Sequence, residues 1–134
     1  MNAGVRKPRA LTLRDAFETE FARRELERRA REEAERQQQE ADLANAKALH
    51  AAVTAEEDFL NSRGLSADVR RYTVSLDHPD FRIAAYFEAG QANVTLSDKR
   101  TALSGAAAPR KQQTAESVED ALQVMAQFLA DETL

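Results

Sequence analysis

Residues 69–98 read VRRYTVSLDHPDFRIAAYFEAGQANVTLSD, and their periodicity decides the fold. Tyr72, Val74 and Leu76 recur at every second position; so do Phe81, Ile83, Ala85 and Phe87, and then Ala92, Val94 and Leu96. A spacing of two sets one face of each run against a core and leaves the other wet, the pattern of a half-buried strand. DHPD (77–80) and EAGQ (88–91) are turns, too short for a parallel crossover, so the three strands are expected to form an antiparallel meander. Facing Leu76 with Phe81, Val74 with Ile83 and Tyr72 with Ala85 in the first hairpin, and Phe87 with Ala92 in the second, gathers every apolar residue on one face. A slip of two in the second hairpin would keep that face; a slip of one would not.

Downstream, LSGAAAPRKQQT (103–114) reads as a loop. A final helix starts at Ser117 or three residues earlier, with Asp120 near N3, and Val118, Ala121, Leu122, Met125, Phe128 and Leu129 form one apolar stripe to lie on the sheet. Upstream, a helix begins at Thr12, whose hydroxyl caps it with Asp15 at N3, and no Gly or Pro interrupts it before Gly64, which is placed to end it. Thr54 and Glu57 resemble a second capping box, so the helix is either bent near 50–54 or divided there. Leu49, Val53 and Leu60 fall within about 40° on a helical wheel, with Ala52 and Phe59 beside them, which joins this section to the core. The expected fold is α+β. Residues 1–11 are a flexible basic tail and 12–62 a long helical arm whose end, about 43–62, packs on the body. Residues 63–134 form that small β-β-β-α body, with the C-terminal amphipathic helix on one face of a three-stranded antiparallel meander.

The middle of the long helix, RRELERRAREEAERQQQE (23–40), has only Leu26, Ala30 and Ala34 to bury. Glu25–Arg29, Glu27–Arg31 and Glu32–Arg36 stand at i, i+4 in the favourable orientation, and Arg, Glu, Gln and Ala are good helix formers. Local chemistry thus sustains the helix without a core, as in a stiff spacer rising about 1.5 Å per residue. Ala30, Ala34, Ala41, Ala44, Ala48, Ala51 and Ala55, with Gln37 between them, follow 4-3 spacing. Small residues at such a seam permit close coiled-coil contact with a second helix; plain alanine richness also accounts for them. Nearer the start, Leu13, Phe17 and Phe21 recur every fourth residue, the arrangement of a helix that docks in a partner's groove. The plainer alternative is packing on the same chain or on a symmetry mate.

Composition narrows the chemistry. Residues 1–40 hold ten basic and nine acidic side chains, residues 41–134 nine and fourteen. An acidic body disfavours broad phosphate-backbone binding. There is no cysteine, hence no disulfide, thiolate metal site or cysteine nucleophile. No apolar run approaches the roughly 18 residues that span a bilayer, and the basic start lacks the apolar segment of a secretory signal. Cytoplasmic residence and no membrane association are expected; the Ala and Arg usage suits a GC-rich bacterial genome. Neither His50 nor His78 sits in a metal or catalytic signature, and the four glycines form no phosphate cradle. Asp77, His78 and Asp80 cluster in DHPD, where a proline turn accounts for them.

The expected function is therefore non-catalytic: a protein interaction or assembly module, with no cofactor or metal. Its partner is a second copy, a dimer being favoured, or another protein. The alternative is a nucleic-acid-binding accessory protein using Arg6, Lys7, Arg9 and Arg14 with Arg82, Lys99 and Arg100 at a sheet end. Against it, Tyr86 would be the only stacking aromatic on the polar sheet face.

Overall fold

The computed structural model describes residues 10–100 and 109–134. Their order is α1 (Leu13–Thr54), α2 (Glu57–Ser62), β1 (Ser66–Arg70), β2 (Thr73–Asp77), β3 (Phe81–Glu88), β4 (Gln91–Asp98), β5 (Pro109–Ala115) and α3 (Val118–Thr133). The chain divides into two compact units, Met1–Arg36 and Gln37–Leu134. The expected flexible tail lies almost wholly outside the described residues.

The fold is α+β, with the long N-terminal helix, antiparallel sheet and C-terminal helix that the periodicity predicts. The expected three-stranded meander is corrected: the sheet has five strands in the order β1-β2-β3-β4-β5. The missing strands escaped for different reasons. At the first, 69–77 looked continuous, but a two-residue turn at Arg71 and Tyr72 divides it into β1 and β2. Arg71 takes a positive φ of 52° with no glycine or asparagine to announce it. At the second, residues 109–115 are not loop but edge strand. Lys111 and Gln113 occupy core-facing positions there, in step with buried Ala115. The Lys111 ammonium lies 6.0 Å from the Phe128 ring centre and bonds Asp131 at 2.7 Å. A strand that fills its inner face with lysine and glutamine has no apolar alternation to read.

The first hairpin is shifted by two from expectation: Leu76 faces Ile83 and Val74 faces Ala85. The cause is proline. In this register His78 and Phe81 flank the turn, with a His78 N–H to Phe81 carbonyl bond of 2.9 Å, and Pro79 falls at the first central position. That position suits its fixed φ, whereas the expected register put Pro79 second. The second hairpin pairs as expected, with Phe87 facing Ala92, Ala85 facing Val94 and Ile83 facing Leu96.

One sheet face is buried beneath helices. Ala46, Leu49 and Val53 of α1, Leu60 of α2, and Ala121, Val124, Met125, Phe128 and Leu129 of α3 join its apolar residues in one core. Several expected members fall short of it: Phe59 and Leu122 are exposed, and Ala52 and Tyr72 are only partly buried, Tyr72 because it lies in the β1–β2 turn and not in a strand. Thr54 does not cap α2. Its hydroxyl donates to the His50 carbonyl at 2.9 Å, so it closes α1 instead. Helix α2 ends as expected at Gly64, φ +69°, with Leu65 N–H bonded to the Leu60 carbonyl at 2.9 Å. Ser117 caps α3 by accepting the Asp120 N–H at 3.0 Å, and the Asp120 carboxylate accepts the Glu116 N–H at 3.0 Å.

A buried carboxylate ties α1 to the centre of the sheet. Asp42 is only 4% exposed and shares a face with Ala46, Leu49 and Val53. Its two oxygens accept the Ala89 and Gly90 N–H groups at 3.0 Å each, and Gln38 Nε2 adds a third bond at 3.1 Å. Ala89 and Gly90 are the β3–β4 turn, and both take positive φ, 53° and 81°. This is the type I′ geometry that matches strand twist and that alanine adopts at a cost. Bonds from a charged acceptor to backbone amides are the strong kind. Asp42→Ala is therefore expected to lower unfolding stability by about 2–3 kcal/mol in urea titrations. Ala89→Asn, which suits the left-handed turn, is expected to raise it by about 0.5–1 kcal/mol.

Candidate functional site

Leu13, Phe17 and Phe21 fall one turn apart on the first part of α1 and are 87%, 60% and 54% exposed. The two rings touch, with centroids 5.6 Å apart and planes tilted by 32°. The helix that carries them is held from within its own surface. At its start the Asp15 N–H donates to the Thr12 hydroxyl at 3.1 Å, as expected of an N-cap. Beyond Phe17, Arg23 bonds both Glu20 and Glu27, Arg24 bonds Glu20 at 3.0 Å, Arg28 bonds both Glu25 and Glu32, and Arg36 bonds Glu33. The ladder uses i, i+3 as well as i, i+4 spacing, and Arg23 and Arg28 each reach both back and forward. Hydrogen bonds from Arg23 and then Arg24 hold the Glu20 carboxyl down to about 2, and Arg28 holds Glu25 below its usual range.

The alanine seam has a different setting. Ala30, Ala34, Ala41, Ala44, Ala48, Ala51 and Ala55 are all exposed. In the second unit the seam runs beside the buried Asp42, Ala46, Leu49 and Val53 face, one or two residues out of step with it. Its side chains are small and offer little area.

A second apolar surface, which periodicity did not reveal, lies within the second unit. The end of α1, α2 and α3 enclose a cleft of about 310 Å³ lined by Val53, Phe59, Leu60, Leu122, Met125 and Leu129, among others. Phe59 and Leu122, 45% and 40% exposed, stand on it. Their places on the helical wheel, beside residues that are buried, predict core positions for both. The available signal was the width of the α3 stripe, since Leu122 sits at its margin beside Leu129. Glu56 also lines the cleft. The Arg63 guanidinium lies 5.9 Å from the Phe59 ring centre.

The residues of DHPD are engaged in the turn. His78 Nδ1 accepts the Asp80 N–H at 3.1 Å, and its ring stacks on Phe81 with centroids 4.5 Å apart. Burial pushes the Asp77 carboxyl up, but hydrogen bonds from Lys99 and Arg82, at 2.9 and 2.7 Å, outweigh it and hold the pKa below its usual value. Among the described residues no group of three or more acids and histidines is placed to hold a metal ion.

Of the basic residues weighed for nucleic acid, Arg6, Lys7 and Arg9 lie outside the described residues and Arg14 is exposed in the first turn of α1. Arg82 and Lys99 share Asp77, and Arg100 contacts Asp98 at 3.2 Å and Glu132 at 3.7 Å. Arg110 contacts the same two acids. Tyr86 stands on the open sheet face opposite Asn93. No helix among the described residues is long and apolar enough to cross a membrane.

No protein-family model, no curated protein and no solved structure matches this chain.

The ion-pair ladder carries a pH signature. A carboxyl held lower in the helix than in the unfolded chain stabilises the helix above its ordinary value of 4.5 and loses that effect as pH falls toward about 2. A peptide of residues 10–40 should hold its circular dichroism at 222 nm from pH 7 to 5, then lose helicity between about pH 4.5 and 2; 1 M salt at pH 7 should act in the same direction. Helicity that ignores both would show the ladder to be idle.

Proposed function

We propose that this chain is a non-catalytic interaction or assembly module that binds protein through the Leu13, Phe17 and Phe21 face of α1. The observation that carries the reading is the pairing of two properties in one segment. Three large apolar side chains lie open to water. The helix beneath them draws its support from its own cap and ion pairs, not from burial of that stripe. A preformed helix presenting anchors at i, i+4 and i+8 loses little conformational freedom on docking, so more of the gain from burying the anchors survives as affinity.

The nucleic-acid reading has less support. Arg82, Lys99, Arg100 and Arg110 each face a carboxylate, and the open sheet face offers one tyrosine for stacking. Phosphate binding needs cations that are not already spent on neighbouring acids.

The test is Phe17→Asp combined with Phe21→Asp. The thermal melt of the second unit should be unchanged within about 0.5 kcal/mol, as for surface substitutions. Self-association by sedimentation, or partner capture, should be lost. A cooperative collapse of the fold would instead make the stripe part of a core.

A further inference from the structure

The stripe and the cleft complement one another, and both belong to the same chain. We propose that the α1–α2–α3 cleft is the receptor for the Leu13/Phe17/Phe21 stripe of a second copy, so that two chains exchange their N-terminal helical segments. The inference rests on the preceding reading of the stripe as an interaction surface and adds the identity of what it meets.

Three observations select this occupant. The first is chemical class. The cleft walls are apolar, with Glu56 as their one charged side chain, and a groove of this kind accepts the apolar face of a helix.

The second is charge. Helix α3 carries no basic side chain; of its four acids Asp131 and Glu132 are paired with Lys111, Arg110 and Arg100, and α2 with the residue before it adds Glu56, Glu57 and Asp58 against Arg63. The segment leading into the stripe is the opposite: residues 1–14 contain Arg6, Lys7, Arg9 and Arg14 and no acid. An apolar anchor behind a basic leader fits an apolar cleft that Glu56 lines and Glu57 and Asp58 follow in sequence, and opposite charges favour the encounter.

The third is area. Reciprocal exchange covers Leu13, Phe17, Phe21, Phe59 and Leu122 on both chains, the main exposed apolar groups at the two surfaces. Together they amount to on the order of 1,000 Å², the lower bound for a specific interface. A single stripe seated in a single cleft gives about half of that, which is why the contact needs to close on itself. Stripe into cleft is a heterologous contact, and exchange between two copies closes it as a dimer.

Two single-sided variants and their mixture provide the test. Phe17→Asp with Phe21→Asp disables the stripe and leaves the cleft intact. Leu122→Asp disables the cleft and leaves the stripe intact; because Leu122 is largely outside the core, the variant should keep its fold, which a thermal melt checks. Phe59→Ser serves the same purpose if Leu122→Asp unfolds. By sedimentation of the full chain, each variant alone should associate about 100-fold more weakly than the parent. Mixed one to one they should associate more tightly than either variant alone and more weakly than the parent, because one of the two stripe–cleft contacts is restored. A parent that stays monomeric at all concentrations overturns the proposal, and so does a mixture no tighter than the variants alone. If cleft variants assemble like the parent while stripe variants do not, the cleft is overturned and the stripe remains an interaction surface. If stripe variants also assemble like the parent, both readings fall.

Discussion

The bond set around Asp42 is the constraint on which the second unit depends. A carboxylate almost free of solvent is costly unless its oxygens are satisfied, and here the acceptors are met by two adjacent turn amides and one side-chain amide. The same bonds explain why a left-handed alanine is tolerated at Ala89. Each feature is unfavourable alone, and each removes the other's cost. The turn so fixed joins β3 to β4, the two long strands at the middle of the sheet, and their register places Phe87, Ala85, Ile83, Val94 and Leu96 on the face that the helices cover. Helix position and strand register are thereby specified by one contact between residues far apart in the chain.

Much of this was legible in the residues themselves. The period-two runs placed β3, β4 and their hairpin register correctly, because both strands have one dry and one wet face. The Ser117 and Asp120 cap, the Thr12 cap and the Gly64 stop were readable because capping is local chemistry. Illegible were features in which tertiary context overrides local preference. Arg71 adopts a turn conformation that its own side chain disfavours. Strand β5 is held by its ladder with β4 and by ion pairs to α3, neither of which leaves a hydrophobic period. Asp42 interrupts an otherwise apolar helix face, and that interruption was the one available hint of its role.

The candidate surfaces divide in the same way. The Leu13, Phe17 and Phe21 stripe was plain from spacing, since nothing else in that part of the helix is large and apolar. The cleft was hidden because Phe59 and Leu122 have the composition and nearly the phase of core residues. Only the packing of three helical segments decides that they stand at the margin of the core and not within it.

The last turn of α3 has a consequence for how the molecule is assembled. It ends in Asp131 and Glu132 with no basic residue, so its carboxylates sit at the negative pole of their own helix. Their counter-charges come from Lys111 and Arg110 on the outermost strand and from Arg100 at the end of the preceding one. The final turn of the helix thus takes part of its support from the far edge of the sheet, and loss of that edge would leave Asp131 and Glu132 uncompensated at the negative pole.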